Sequence, residues 1–154
     1  MANGVRTVEL TRRFVEFVRG LSLRHFLPSE LLVHVGGRRG KVINSFPPEE
    51  LWENIVPTIR LLDEFREVWG APVYLISVWR DPAYNRAVGG VPQSQHTQFR
   101  AIDFTSARGR PMDWFRLLRE WRQEGRFAGG LGVYPRKGFV HLDTRGYNAT
   151  WQGR

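Results

Sequence analysis

The chain has 154 residues, of which 42% are apolar, enough for one compact domain with a single hydrophobic core. It has no cysteine, which excludes disulfide bonds and thiolate metal sites, so any metal ion must be held by His, Asp or Glu, with only four histidines available. Twenty-three basic and fifteen acidic residues give a formal charge of +8, which favours contact with nucleic acid, anionic lipid or phosphate-bearing envelope polymers but is equally typical of a solvated basic surface.

The N-terminal part of the chain predicts helices. Residues 7–19 have the periodicity of an amphipathic helix, with Val8, Phe14, Val15 and Val18 on its apolar side. A short second helix is expected over residues 29–32, and the glycines at 36–40 predict a turn.

A longer helical region is predicted from Pro47 to Trp69. Prolines and acids at its start are typical of a helix N-terminus, and apolar residues then recur at helical spacing. Pro57 is expected to kink or divide this region, and Gly70 to end it. Residues 72–77 predict a buried strand.

The second half of the chain predicts the strands. Residues 78–98 form a long polar loop with one helical turn at 83–88. A helix and three strands are expected after it: strand 101–105, helix 111–123, strand 131–134 and strand 139–144. Helices come first and strands cluster later, which predicts an α+β fold with a small, mainly antiparallel sheet flanked by helices.

The chain is expected to form one domain over residues 1–154. Residues 1–45 are interpreted as a helical extension packed on a motif-bearing core of residues 46–151. Residues 1–13 are polar and lack the apolar stretch of a secretory signal, and no apolar run approaches the ~20 residues of a transmembrane helix. We therefore expect synthesis in the cytoplasm without a signal peptide.

Three potential zinc ligands lie where loops and strands meet. His96 is late in the polar loop, Asp103 is in the strand that follows, and His141 is in the last predicted strand. A catalytic zinc site uses three nitrogen or oxygen ligands and one open position, and these three residues meet that count. Their spacing alone is a weak signal, because a His and an Asp seven positions apart are common.

The sequence segments around these three residues make the prediction of a zinc site more specific. Five segments resemble, in the same order, the D-alanyl-D-alanine carboxypeptidase-type zinc peptidases: residues 77–85, 94–96, 100–103, 129–135 and 139–143. That family includes zinc DD-carboxypeptidases, D-Ala-D-Ala dipeptidases and phage L-alanyl-D-glutamate endolysins. The resemblance extends from about residue 47 to residue 151, and it implies a zinc peptidase fold of the hedgehog/DD-peptidase type.

The resemblance also implies roles for individual residues. His96, Asp103 and His141 match the metal ligands of the family, with zinc as the cofactor. Arg80 matches an arginine that faces the substrate and the developing oxyanion, a role suited to a guanidinium because it keeps its proton. Ser94 matches a serine that helps to hold the substrate peptide.

Each of the last two residues also has a structural alternative. Arg80 could pair with the neighbouring Asp81, and Ser94 could cap a turn. His25 and His34 are expected to be structural. Trp79 and Trp151 lie beside the motif segments and could line a cleft, although core packing is the ordinary role of a tryptophan.

The chain departs from the family pattern at two positions. Many relatives have Glu or Asp three residues before the last histidine, where this chain has Gly138. Asp143 is the nearest carboxylate and, being two residues from His141 on a strand, shares its face; it could act as general base or only orient a neighbour. Phe99 stands where the family usually has glycine, so it could narrow the cleft or require an unusual backbone conformation.

Three functions are compatible with this sequence. The first is a zinc metallopeptidase, phage lysin-like or DD-carboxypeptidase-like, that cuts an amide bond in peptidoglycan stem peptides, with Arg80 and Asp143 as catalytic residues. It would act at the cell wall after lysis or export, or as part of a virion. The second, favoured by Gly138 and Phe99, is a relative that has lost its catalytic activity and serves as a binding or structural subunit of a phage particle. The third is a nucleic-acid binder, but no helix-turn-helix pattern or long basic run supports specific binding.

Overall fold

The protein forms an α+β fold, as predicted. The structure, a computed structural model, describes residues 2–154. The α-helices are α1 (Ala2–Arg19), α2 (Val56–Trp69), α3 (Pro82–Ala87) and α4 (Pro111–Gln123). Short 3-10 helices cover Pro28–Leu32, Glu49–Ile55 and Gln95–Gln98. The strands are β1 (Arg38–Arg39), β2 (Val42–Ile43), β3 (Val73–Ser77), β4 (Ala101–Ser106), β5 (Gly130–Tyr134), β6 (Phe139–Asp143) and β7 (Ala149–Gln152).

The main sheet has the strand order β3-β4-β6-β5-β7. Its pairings are antiparallel except the last, in which β7 runs parallel to β5. The mainly antiparallel sheet is therefore confirmed. In the β4–β6 register Asp103 lies directly opposite His141, so two of the predicted metal ligands are cross-strand neighbours.

The predicted helices are present, but one residue expected on the apolar side of α1 is exposed. Phe14 and Val18 of α1 are buried, but Val8 is 71% exposed, so the prediction that Val8 lies on the apolar side is wrong. Pro57 divides the second helical region as predicted: the 3-10 helix precedes it, and α2 has the proline in its first turn, where a missing N–H has no cost. Within residues 2–154, no helix is both long and apolar enough to cross a lipid bilayer.

One strand prediction needs correction, and three strands were not expected. β3 is buried on one face only, since Tyr74 and Ile76 point outward and are 52% and 36% exposed. The glycine-containing turn at residues 36–40 belongs to a small hairpin in which β1 pairs with β2. Strand β7 was not expected from the sequence.

An aromatic cluster joins α1 to the segment that carries His96. The ring centroids of Phe14 lie 5.1 Å from Trp52, 5.9 Å from Phe46 and 6.1 Å from Phe99. Phe14 and Phe99 are fully buried. The helix α1 therefore packs behind the turn that follows His96 and does not lie over the predicted metal ligands.

Candidate metal centre

Three buried side chains meet at the β4–β6 pair of the main sheet. Asp103 comes from β4 and His141 from β6, while His96 lies in the 3-10 helix Gln95–Gln98. One ligand atom from each lies within 4.8 Å of the others. This is the trio predicted from the sequence, and its geometry could hold a metal ion.

The tautomer of His96 is set by a backbone carbonyl. Its Nδ1 lies 2.8 Å from Val78 O, and since a carbonyl can only accept, neutral His96 carries its proton on Nδ1. Nε2 then presents a lone pair 3.2 Å from Asp103 Oδ1 and has no hydrogen-bond partner among the described residues, although it is buried. Buried polar atoms rarely lack partners, so this atom is suited to bind a metal ion.

Both ring nitrogens of His141 face carboxylates. Nε2 donates to Asp143 Oδ2 at 2.7 Å, and Nδ1 donates to Asp103 Oδ1 at 2.9 Å, so metal-free His141 holds a proton on each nitrogen. A metal ion at Asp103 would take the place of the Nδ1 proton, while Asp143 keeps the proton on Nε2. His96 Nε2 and His141 Nδ1 thus face the same carboxylate, which is the donor arrangement that a divalent metal ion requires.

Asp143 is held from several directions. Its Oδ1 accepts from the backbone N–H of Gly130 at 2.9 Å and from Arg145 Nε at 2.9 Å, and its Oδ2 accepts from Arg145 Nη2 at 2.7 Å. Glycine is needed at 130, because a Cβ there would collide with Asp143 Oδ2. The side chain of Asp143 is fully buried and contacts the nitrogen of His141 that points away from Asp103.

These contacts shift three pKa values in the metal-free protein. Burial alone would raise the pKa of Asp103, but the neighbouring imidazoles of His96 and His141 outweigh this effect and hold that pKa well below its usual value. Burial by itself would also raise the pKa of Asp143. Hydrogen bonds from His141 and Arg145 more than offset this effect, so the pKa of Asp143 is strongly lowered as well. Burial lowers the pKa of His141, yet its bonds to Asp103 and Asp143 raise it to about 9.

Arg80 pairs with the candidate metal ligand Asp103 and not with its neighbour Asp81. Its Nη2 lies 3.5 Å from Asp103 Oδ2, and its Nε donates to Ser77 Oγ at 3.1 Å. The carboxylate of Asp81 instead accepts from the backbone N–H groups of Ser45 and Tyr84, and so caps α3. The guanidinium therefore lies beside the candidate metal centre.

Ser94 does cap a turn. Its Oγ accepts from the backbone N–H of His96 at 3.3 Å, at the start of the 3-10 helix that carries this histidine. Ser94 also lines the cavity next to the candidate metal ligands. Because its hydroxyl accepts from His96, the hydroxyl hydrogen is available for donation to a bound molecule.

A cavity of about 540 Å³ opens beside the three ligands. Residues that the sequence did not single out form its far wall: Tyr134, Lys137, Phe139 and Arg145. Trp151 also lines it, with its ring 5.0 Å from that of His141 and its Nε1 donating to Tyr134 Oη at 2.8 Å. These residues come from β5, β6, β7 and their connections, so only the sheet order shows that they meet.

The two departures from the family pattern have different structural consequences. Phe99 adopts the left-handed backbone conformation, with φ 52°, and its ring points into the core against Phe14 and Trp79. Phe99 therefore has to adopt the left-handed backbone conformation, and its ring does not narrow the cavity. Gly138 lies in the β5–β6 turn with φ 84°, and a Cβ there would meet no atom within 4 Å.

The other histidines and Trp79 lie outside the centre. His25 Nε2 is 2.5 Å from Glu67 Oε2 on α2, and His34 has a left-handed backbone in a turn. Trp79 is buried, and its Nε1 donates to Ser45 O. Of the two tryptophans beside the motif segments, Trp151 lines the cavity and Trp79 packs in the core.

Comparison with known proteins gives one match. A family model described as Peptidase M15 matches residues 24–143. The matched segment contains the three candidate ligands and Asp143, and it ends before Arg145 and Trp151. No curated protein and no solved structure matches the chain.

Proposed function

The chain belongs to the peptidase M15 family, and on that premise we propose that it is a zinc metallopeptidase that hydrolyses an amide bond in bacterial peptidoglycan stem peptides. Membership confirms the resemblance to the D-alanyl-D-alanine carboxypeptidase-type peptidases. The observation that carries the proposal is the group of ligand atoms of His96, Asp103 and His141 within 4.8 Å of one another, in which His96 Nε2 is buried without a hydrogen-bond partner in the described chain.

In this proposal His96 Nε2, Asp103 and His141 Nδ1 hold the zinc ion. Two imidazoles and one carboxylate are a common ligand set of catalytic zinc, and the adjoining cavity leaves room for a fourth ligand. When bound, zinc supplies Lewis-acid chemistry, since it polarises a carbonyl and lowers the pKa of a water molecule to about 7.

Arg80 and Ser94 are proposed to contact the substrate. The Arg80 guanidinium lines the cavity beside Asp103, where it would stabilise the negative charge that develops on the scissile carbonyl oxygen. Ser94 would donate its hydroxyl hydrogen to a peptide carbonyl while its oxygen still caps the turn of His96. Both residues thus combine a structural contact with a position on the cavity wall.

For Asp143 we propose the orienting role. Its carboxylate fixes the proton of His141 on Nε2, and Arg145 and Gly130 hold that carboxylate in place. A carboxylate behind a ligating histidine sets its tautomer and ring orientation and raises its basicity. Asp143 is not among the residues that line the cavity, so it is poorly placed to take a proton from a water molecule there.

One observation favours the second function, a retired relative that serves as a binding or structural subunit of a phage particle. Of the described residues that line the cavity, Asp103 alone is acidic. With glycine at 138, no further carboxylate is available there as a general base. In this second function the metal centre would only stabilise the fold, and the protein would have no peptidase activity.

We place the activity at the cell wall. A protein of charge +8 would be held by the anionic polymers of a bacterial envelope. It would reach them after lysis or export, or as part of a virion with other virion proteins as partners. Both a phage lysin-like endopeptidase and a carboxypeptidase are compatible with the open cavity.

The test is zinc content together with release of new amines from purified peptidoglycan, for the wild type and for His141→Ala. We expect about one zinc ion per chain and amine release that is lost in the variant. Zinc without amine release would support the retired relative. Absence of zinc from the wild type, even with the metal in excess, would contradict both functions.

A further inference from the structure

The segment that carries Arg80 belongs to no helix or strand. Residues 78–81 connect the end of β3 to the start of α3, so the ladder of the main sheet does not pair their backbone groups. Residues from elsewhere in the chain bind this segment instead. His96 Nδ1 donates to Val78 O, and the backbone O of His96 accepts from the N–H of Arg80. Two further bonds to the segment come from the side chain of Asn44.

Asn44 holds the peptide groups on both sides of Arg80. Its Nδ2 donates to Trp79 O at 3.0 Å, and its Oδ1 accepts from the backbone N–H of Asp81 at 2.9 Å. The first of these groups belongs to the peptide bond before Arg80, and the second belongs to the peptide bond after it. One planar amide therefore fixes the direction in which the Arg80 side chain leaves the backbone.

Asn44 is itself held firmly at the end of the small hairpin. Its side chain is buried, and Nδ2 also donates to His34 O at 3.2 Å. Its backbone N–H donates to Gly37 O at 2.8 Å, and its backbone O accepts from the N–H of Gly36 at 2.7 Å. The amide therefore cannot turn without the loss of a buried hydrogen bond, which is costly.

The guanidinium of Arg80 has only long contacts of its own. Its Nη1 lies 3.4 Å from Asn85 Oδ1, and its Nη2 lies 3.5 Å from Asp103 Oδ2. Both distances exceed the usual hydrogen-bond range of roughly 2.7–3.2 Å, and only the bond from Nε to Ser77 Oγ, at 3.1 Å, falls within it. The position of this long side chain therefore depends on its backbone, and a shift of about 1 Å in a catalytic group can cost ~100-fold in rate.

We propose that Asn44 is a positioning residue for Arg80. By holding both neighbouring peptide groups, it places the guanidinium beside Asp103, where negative charge would develop on the scissile carbonyl oxygen. This inference rests on the proposed peptidase function and adds a residue to its machinery. Asn44 lies within residues 1–45, so the segment that the sequence predicted to be an extension supports the candidate site.

The test is a double-mutant cycle with Asn44→Ala, Arg80→Ala and the variant that combines them. We would measure kcat and KM on peptidoglycan peptides at saturating zinc, under conditions in which urea unfolding shows each variant to be folded. Asn54→Ala is the matched control, because the Asn54 amide also donates to a backbone carbonyl, but to that of Gln98. Asn44→Ser, whose side chain is too short to reach both peptide groups, replaces Asn44→Ala if the alanine variant does not fold.

We expect Asn44→Ala to lower kcat roughly 10- to 100-fold with KM nearly unchanged, and Asn54→Ala to resemble the wild type. In the Arg80→Ala background, the Asn44 substitution should change kcat by no more than about 2-fold, because the side chain that it positions is already missing. An equal loss of kcat in both backgrounds would show that Asn44 only supports the fold. Wild-type kcat in Asn44→Ala would also overturn the proposal.

NMR of the Arg80 side chain separates this inference from the proposed function, because it needs no substrate. The Nε–Hε signal of Arg80 is assigned by its absence from Arg80→Ala, and its heteronuclear NOE reports the order of the side chain. We expect an ordered side chain in the wild type and in Asn54→Ala, and a mobile one in Asn44→Ala. If the wild type cleaves no peptide, the peptidase function fails while this difference remains. Equal order in Asn44→Ala and the wild type would refute the positioning role.

Discussion

The role of Asp143 can be decided by Asp143→Asn, which keeps the size of the side chain and removes its charge. The buried carboxylate accepts from His141 Nε2, from three Arg145 nitrogens (the backbone N, Nε and Nη2) and from the N–H of Gly130. An amide has one oxygen for these donors, and its own NH₂ group would face N–H groups. The tautomer of His141 that leaves Nδ1 unprotonated therefore loses its support.

Two magnitudes follow from these contacts. Loss of a carboxylate behind a ligating histidine typically weakens metal binding ~10- to 100-fold, which is ~1.4 to ~2.7 kcal/mol. Removal of one partner of the buried Asp143–Arg145 pair destabilises the fold by ~3 kcal/mol or more, because Arg145 keeps its charge. If Asp143 were the general base instead, kcat would fall ~10²- to 10⁴-fold with the metal site intact.

The assay is zinc affinity by competition with a chelator, followed by kcat at saturating zinc and urea unfolding of the metal-free protein. We expect weaker zinc binding and lower stability, with most of kcat recovered once zinc is saturating. Arg145→Gln is the second variant, because it leaves the carboxylate on His141 and should weaken zinc binding less. Wild-type zinc affinity in Asp143→Asn, combined with a large loss of kcat, would refute the orienting role.

Two further predictions concern the backbone of Phe99 and the proton on His141. Phe99→Gly should lower the free energy of unfolding by ~1–4 kcal/mol, since loss of a buried ring costs ~3–5 kcal/mol and relief of the left-handed conformation returns ~1–2 kcal/mol. Phe99→Ala should be less stable than Phe99→Gly in urea unfolding, and the reverse order would contradict the strain. Zinc uptake near pH 7.5 should release about one proton, because a ligating His141 must lose the proton that its pKa of about 9 retains in the metal-free protein. Calorimetry in buffers of different ionisation enthalpy measures the number of protons released. Release of no proton would contradict a His141 pKa of about 9 in the metal-free protein. The same shift has a definite sign: His141 stabilises the metal-free fold fully below pH 6.5 and loses this effect as the pH rises through 9.

The elements with local signals were predictable. The helix α4 was expected at residues 111–123 and has those bounds, because a proline opens it and Trp114, Leu118 and Trp121 recur on one face. The three candidate ligands were found because histidines are few and the text around them resembles a family. Alternation along β6 also correctly placed Asp143 on the same face as His141.

The rest depended on contacts between distant residues. β7 has four residues of alternating partial exposure, so its pattern does not distinguish it from a loop, and only its pairing with β5 brings Trp151 to His141. The side of His141 that Asp143 occupies also depends on where Arg145 and Gly130 hold the carboxylate. Strand periodicity gives the face of a side chain but not the ring nitrogen that it meets.

The parallel pairing of β7 makes one wall of the cavity separable from the candidate metal centre. β5 and β6 form a hairpin with a short connection, whereas β7 can join β5 only after the chain has passed β6 and returned along the same direction. The three candidate ligands belong to β4, β6 and a 3-10 helix, none of which needs β7 to reach the others. Release of β7 from β5 would therefore remove Trp151 from beside His141 and open the cavity, with the candidate ligands still held together.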